Sequence, residues 1–325
     1  MKSQATEAYI YKLEKGNKVY VCSTYNNSLE NATLFFEEDK LKNPSNDFWC
    51  LEAKYKEKVE NIKETLPKGI EAVKSKNKVG YVIKHVWRPG LYIDIEKALE
   101  IDMSEMNRAK RELRILVEQL YDILMYIEPD NLTACGHKIR ELLILACTEV
   151  ESSWISYMKI AGENCNRLTT VDFVKLCPPL FLKEYKIIFC HYPMKKEVAP
   201  FKEWNDSEPT KSLPWYYAYN MSKHNRKDYF QKATLECCLN AIIANIIMFC
   251  VRYSPYNIIA PFDICSQLIS ENFIIQLENY DISSFYTPYF KSSSDDDLSL
   301  VMKMKVDPSS EFEREWNILP LSLKL

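Results

Sequence analysis

The densest set of chemically capable side chains lies in the stretch Leu213–Phe230, which reads Leu-Pro-Trp-Tyr-Tyr-Ala-Tyr-Asn-Met-Ser-Lys-His-Asn-Arg-Lys-Asp-Tyr-Phe. Read as helix throughout, a step of ~100° per residue sets Tyr216, Tyr219, Asn220, Lys223, His224, Arg226 and Lys227 within an arc of roughly 160°. One face would then be cationic and aromatic. Such a face suits an anionic ligand that carries bases, RNA above all, because phosphates pair with Lys and Arg while bases stack on rings. His224 adds an imidazole able to take or give a proton near neutral pH. Cleavage of RNA by its own 2′-OH needs these parts: a group that moves protons, and cations for the charge that develops on phosphorus. Asn220, one turn earlier, could orient the imidazole. A structural reading of the same residues stays open, with Lys223, His224, Arg226, Lys227 and Asp228 as a solvated face and the tyrosines packed into a core.

Other candidates are weaker. His85, His137 and His191 have no histidine at metal-ligand spacing, and H-E-x-x-H does not occur, so no zinc site and no cofactor are expected. Asp47 with Glu52-Ala-Lys54 echoes an acidic-x-Lys nuclease end, where carboxylates hold magnesium. That segment, however, reads as a salt-laced amphipathic helix. Cys165 and Cys190 lack the neighbours that would activate a thiol.

These residues must be positioned by a chain of 325 residues, enough for one large domain or two ordinary ones. A net charge of −3 argues against a wholly basic nucleic-acid coat and leaves phosphate recognition to a local patch. The eleven cysteines are odd in number and scattered, and read as reduced and mostly buried. Only six glycines occur, and neither a P-loop nor a G-x-G-x-x-G turn is among them, which excludes the common nucleotide-binding loops. The N-terminal residues lack the apolar run of a signal peptide. The longest apolar stretch, Cys237–Val251, reads as too short and too polar to span a bilayer, so a cytoplasmic protein without membrane contact is expected.

The fold class predicted is α+β, in three parts. Residues 1–97 form a mixed α/β domain, with a hairpin from Tyr9–Leu13 and Val19–Cys22, further strands at Lys78–Trp87 and Leu91–Ile95, and a helix carrying Tyr55, Val59, Ile62 and Leu66. Residues 98–255 are mainly helical. Met106, Ala109, Leu113, Leu116, Leu120, Ile123 and Ile127 mark a first long helix that ends at Glu128-Pro129. Ile139, Leu142, Leu143, Ala146, Val150, Trp154 and Tyr157 mark a second, with Glu149 and Glu151 on its flanks. A Pro-punctuated connection over 161–213 reads as an aromatic-ordered cover. Ser212 could cap the helix that Pro214 opens, and a nearly all-apolar central helix starts from about Phe230. Residues 256–325 form a C-terminal extension in which Leu300, Met302, Met304 and Val306 alternate as a strand.

Three segments together resemble a family. Arg140-Glu-Leu-Leu-Ile-Leu-Ala-Cys-Thr-Glu-Val-Glu-Ser-Ser-Trp154, Trp215-Tyr-Tyr-Ala-Tyr-Asn-Met-Ser-Lys-His-Asn-Arg226 and Phe230-Gln-Lys-Ala-Thr-Leu235 are similar to uncharacterised bacterial proteins with a HEPN-like helical domain, over about residues 105–255. The resemblance implies a helical bundle, often a homodimer, whose active members cut RNA without a metal and serve in phage defence or in toxin systems with a protein antitoxin. It implies His224 and Arg226 as the catalytic pair, Asn220 and Lys223 as supports, and Glu149 or Glu151 as the acidic group of the preceding helix. On the reading of the residues themselves, Lys227, Tyr216 and Tyr219 would touch nucleic acid. The chain departs from the pattern in one respect: active members carry Arg, four to six residues, then His, whereas here His-Asn-Arg runs in the opposite order. A non-catalytic helical interaction protein, with this tract structural, is the alternative.

Overall fold

The computed structural model describes residues 7–13, 18–25, 28–33, 47–51, 73–91, 95–164, 166–191, 194–224, 226–259, 263–287, 289–292, 302–305 and 312–323. Helices and small sheets both occur, and the class is α+β. The chain divides into two compact units, one of Met1–Glu100 with Asn279–Leu319, the other of Ile101–Glu278 with Pro320–Leu325.

In the first unit, β1 (Glu7–Leu13) and β2 (Lys18–Tyr25) pair antiparallel, with Tyr9 opposite Cys22, which is the hairpin read from the sequence. They belong to a six-stranded sheet with β3 (Ser28–Thr33), β4 (Asp47–Leu51), β5 (Val73–Lys74) and, from the far end of the chain, β11 (Met302–Lys305), in the order β11-β4-β3-β2-β1-β5. The alternation at Met302 and Met304 is therefore a strand, and it lies beside β4. Asp47 stands in that strand, where the sequence suggested a helix; Glu52, Lys54 and the helix drawn through Tyr55 lie outside the described residues.

Of Lys78–Trp87 only β6 (Tyr81–Ile83) is strand, and Ile95 opens a one-turn helix, α1 (Ile95–Ala98), where a strand was expected to end. β13 (Asn317–Leu319) runs parallel to β6, and β10 (Tyr289–Ser292) pairs with β12 (Phe312–Glu315). The buried Tyr286 ties the two halves of this unit: its hydroxyl accepts the Ile83 N–H at 3.0 Å and donates to the Val86 carbonyl at 2.9 Å. Gly90, at φ +100°, lies so close to the Tyr286 carbonyl that a Cβ there would sit 1.9 Å from its oxygen. No L side chain fits that turn.

The second unit is a bundle. α2 (Met103–Leu124) starts at Asp102, whose carboxylate accepts the Ser104 and Glu105 amides, and it buries Met106, Leu113, Leu116, Leu120 and Ile123, as the spacing predicts. It stops four residues before Glu128. α3 (His137–Ile160) buries Ile139, Leu142, Leu143, Ala146, Val150, Trp154 and Tyr157 on the expected stripe. α5 (Pro214–His224) and α7 (Leu235–Tyr253) complete it, after the short α4 (Thr170–Phe173) and α6 (Arg226–Tyr229). α7 packs against α2, α3 and α5, which is why it is apolar nearly all round.

Three details differ from the sequence reading. α7 begins at Leu235, because the Thr234 hydroxyl accepts the Cys237 amide, and Phe230–Lys232 before it is a separate 3-10 turn. At 19 residues and mean hydropathy 1.7, α7 is long and apolar enough to cross a membrane, contrary to the estimate from Cys237–Val251; 83% of that window is buried inside the protein, so its composition is that of a core helix. The bundle also continues past Tyr253 through α8 (Tyr256–Ile259), α9 (Ile264–Asn272) and β9 (Phe273–Leu277). β9 belongs here because it pairs with β7 (Tyr185–His191), which also pairs with β8 (Met194–Val198).

The Pro-rich connection is ordered by aromatics around Trp154. That indole stacks on Trp204 at 4.9 Å and meets Phe173 and Tyr216, each at 5.2 Å. Backbone carbonyls of the connection hold the surrounding rings: Trp204 donates to Pro209 O at 2.9 Å and Trp215 to Pro200 O at 3.1 Å. Ser212 takes part in this loop rather than capping α5, since its hydroxyl accepts the Asn205 amide.

Candidate functional site

The site is built from the end of α5 and the start of α3. Pro214 occupies the first turn of α5, where a missing N–H costs nothing, and the helix runs to His224. Arg226 lies in α6, so the described backbone is two helices rather than the one continuous helix that put all seven residues on one arc; Asn225 between them is outside the described residues. The last carbonyls of a helix lack partners within it. One of them, Ser222 O, is taken by Arg140 from the first turn of α3, which donates from Nη2 at 2.8 Å and Nε at 3.3 Å. Beside this, the His137 ring packs on Phe230 at 4.9 Å. These two contacts bring the exposed His137 and Lys138 to the same end of the bundle as Lys223 and Lys227, both exposed. His224 and Arg226 are placed there by backbone position, between those two lysines.

Beneath the surface cations runs a chain of hydrogen bonds. Lys223 Nζ donates to the Tyr219 hydroxyl at 2.7 Å and sits 4.9 Å from the centre of its ring. Tyr219 donates to Glu151 Oε2 at 3.1 Å, and Tyr216 donates to Glu151 Oε1. Burial pushes the Tyr216 hydroxyl far up, with the Glu151 carboxylate adding to the shift, and burial raises Tyr219 as well. The hydrogen bond to Tyr219 raises Lys223, which keeps the ammonium charged. Removing a donor to a charged acceptor costs about 1.5–3 kcal/mol. Tyr216→Phe is therefore expected to lower unfolding free energy by about that amount in urea melts, and an unchanged midpoint would mean that the hydroxyl contributes nothing.

The expectations divide accordingly. Lys223, Lys227, His224 and Arg226 are gathered at one end, and Asn220 is half-buried one turn back along α5. Tyr216 and Tyr219 are 3% and 0% exposed, so their rings have no free face on which a base could stack, and the stacking role read from the sequence is corrected to a packing one. Glu151 joins the tract, whereas Glu149 does not. Two positions along a helix turn the side chain by ~200°, and Glu149 lines instead a cleft of about 220 Å³ between α2, α3 and α7, which Glu112 and Arg252 also line. Burial raises the carboxyl pKa of both Glu112 and Glu149, and Glu149 repels Glu112 further.

Arg140 is the residue that sequence reasoning missed, and His137 was considered there only to be set aside. Their place in the first turn of a long helix was legible, but 82 positions separate Arg140 from Ser222, and no periodicity links them. His191 packs on Tyr121 and Phe189 as a structural ring. Cys135, Cys147, Cys177, Cys190, Cys237, Cys238, Cys250 and Cys265 are in no disulfide, and among the described residues no three His, Cys, Asp or Glu side chains gather where a metal ion could sit. No protein family, curated protein or solved structure matches the chain.

Proposed function

We propose that the protein is an RNA-binding protein with a HEPN-like bundle that cuts RNA without a metal ion. The observation that carries this reading is the cation cluster at one end of the bundle, which Arg140 gathers by holding the end of α5 against the start of α3. Lys223, Lys227 and Lys138 supply positive charge there and His137 an imidazole, next to the backbone positions of His224 and Arg226. In the reaction, the 2′-OH of the substrate attacks the adjacent phosphorus and the P–O5′ bond breaks, leaving a 2′,3′-cyclic phosphate and a free 5′-OH; His224 takes the proton of the 2′-OH and returns it to the departing 5′-oxygen, and Arg226 and Lys223 stabilise the charge on the phosphate oxygens. The order α2, α3, α5, α7, with a polar tract just before the last long helix, supports the HEPN-like placement. A cytoplasmic homodimer acting in phage defence, or as a toxin held by a protein antitoxin, is the setting that the resemblance suggests.

RNA binding is tested by titrating labelled single-stranded RNA over a series of salt concentrations. Each phosphate contact contributes about 0.7 to the slope of log K against log salt for a single strand. Lys227→Ala is expected to weaken binding to all sequences alike and to flatten the slope by about that amount. Binding that ignores salt, or a slope that Lys227→Ala leaves intact, would count against the reading.

One observation favours a second reading. Tyr216, Tyr219 and Glu151 form a buried polar network across α3 and α5, which is what a tract that fixes the bundle of a non-catalytic interaction protein would use.

A further inference from the structure

Lys223 differs from the other cations of the cluster in how it is held. A lysine in the last turn of a helix ordinarily samples many rotamers, and ordering it on a ligand carries an entropic cost. Here the ammonium is already engaged, donating to the Tyr219 hydroxyl at 2.7 Å. Tyr219 cannot move to follow it, because its ring is fully buried and its own hydroxyl proton is committed to Glu151 at 3.1 Å. Glu151 is fixed in turn by Tyr216, which donates to its other oxygen. The chain is polarised in one direction: the lysine can only donate, the carboxylate accepts at both oxygens, and the tyrosine between them accepts from the lysine and gives its proton to the carboxylate, with Thr148 as a further hydrogen-bond partner of its hydroxyl. That leaves the lysine with two further N–H donors, on a residue that is itself exposed.

We infer that Tyr219 and Glu151 are positioning residues that hold the Lys223 ammonium in place for a phosphate of the bound RNA strand. The inference rests on the RNA-binding reading above and extends it by naming the two groups, neither of which touches the ligand, that set the affinity of one that does. A pre-ordered lysine binds phosphate without the ordering cost, so loss of the Tyr219 hydroxyl should weaken RNA binding by between about two- and tenfold. The number of phosphate contacts should not change, because a freed Lys223 still reaches the phosphate. The salt slope therefore separates positioning from contact.

The experiment is a double-mutant cycle on single-stranded RNA binding, at salt concentrations that resolve the slope, with Tyr219→Phe, Lys223→Ala and the double variant at matched folded fraction. Tyr219→Phe keeps the buried ring and removes only the hydroxyl. The expected result has three parts: Lys223→Ala lowers both affinity and slope, Tyr219→Phe lowers affinity and keeps the slope, and Tyr219→Phe has no further effect once Lys223 is gone. Glu151→Gln should behave like Tyr219→Phe and weaken binding through the same lysine. If Tyr219→Phe weakens binding equally in both backgrounds, the tyrosine acts on the fold and the inference falls. It falls also if Lys223→Ala weakens binding while Tyr219→Phe does not. If Lys223→Ala itself changes nothing, the phosphate site of the proposed function fails along with it, an outcome distinct from the other two.

Discussion

Total RNA incubated with the protein in EDTA should be cleaved, and His224→Ala or Arg226→Ala should each remove most of that cleavage while the protein stays folded. Loss of a group that moves a proton in the transition state costs typically 10²–10⁴-fold, and loss of a donor to developing negative charge costs about 10²–10³-fold. Effects of that size cannot come from a modest change in stability at matched folded fraction, which is what makes the comparison decisive. The two variants should also fail to add, because a proton donor and a charge stabiliser that serve one transition state act as a unit. Three outcomes lead elsewhere. Wild-type protein that cuts nothing, with both variants melting earlier, supports the structural reading of the tract. Cleavage that needs magnesium and disappears with Glu52→Ala moves the chemistry to the first unit. Cleavage that survives both substitutions places the active groups at positions other than His224 and Arg226.

Trp154→Ala is expected to be the most damaging single substitution in the bundle. The indole is fully buried and surrounded by Phe173, Trp204, Trp215 and Tyr216, and its Nε1 has no hydrogen-bond partner among the described residues. Its contribution is thus volume and ring contact rather than polar recognition. Truncating a buried Trp costs about 3–5 kcal/mol, and in a unit of this size each kcal/mol lowers Tm by roughly 2–4 °C. A fall in Tm of about 6–20 °C should follow. Trp154→Phe, which fills part of the space and leaves no polar group unpaired, should lose much less. Because Trp204 and Trp215 anchor the Pro-rich connection against this ring, the Ala variant should also open that connection to limited proteolysis before the bundle unfolds. A melt within 1 kcal/mol of wild type would show that the cluster relaxes into the space and that Trp154 does not organise it.

Why some features were legible in the sequence and others were not follows from the range of the interactions. The stripes on α2 and α3 repeat every three or four residues, so Leu113 to Ile123 and Ile139 to Tyr157 could be read directly and are buried as expected. The hairpin of β1 and β2 is equally local. Start and stop points were less legible: Phe230 looked like a helix start, yet the Thr234 hydroxyl, by accepting the Cys237 amide, sets it at Leu235. In the site, Lys223 and Tyr219 stand one helical turn apart and their pairing is implicit in the spacing. The partners that give the pair its meaning are not, because Glu151 and Arg140 approach from a helix that lies more than sixty positions earlier. Tyr216 and Tyr219 were read as stacking platforms because an aromatic face and a buried one have the same periodicity. Only the neighbours distinguish them: Trp154 for Tyr216, and Tyr216 with Glu151 for Tyr219.

The membership of residues 279–319 in the first unit governs the order in which this chain can be completed. The ribosome delivers β1 to β5 first, but the strand that flanks β4, and the one that pairs with β6, emerge only after every helix of the bundle. Until then β4 is an open edge, of the kind that recruits strands from other chains. The bundle, second in the sequence, can finish folding before the unit that begins the chain. A nascent chain halted after Glu278 would accordingly hold a nearly complete helical half and a sheet with its border still unpaired.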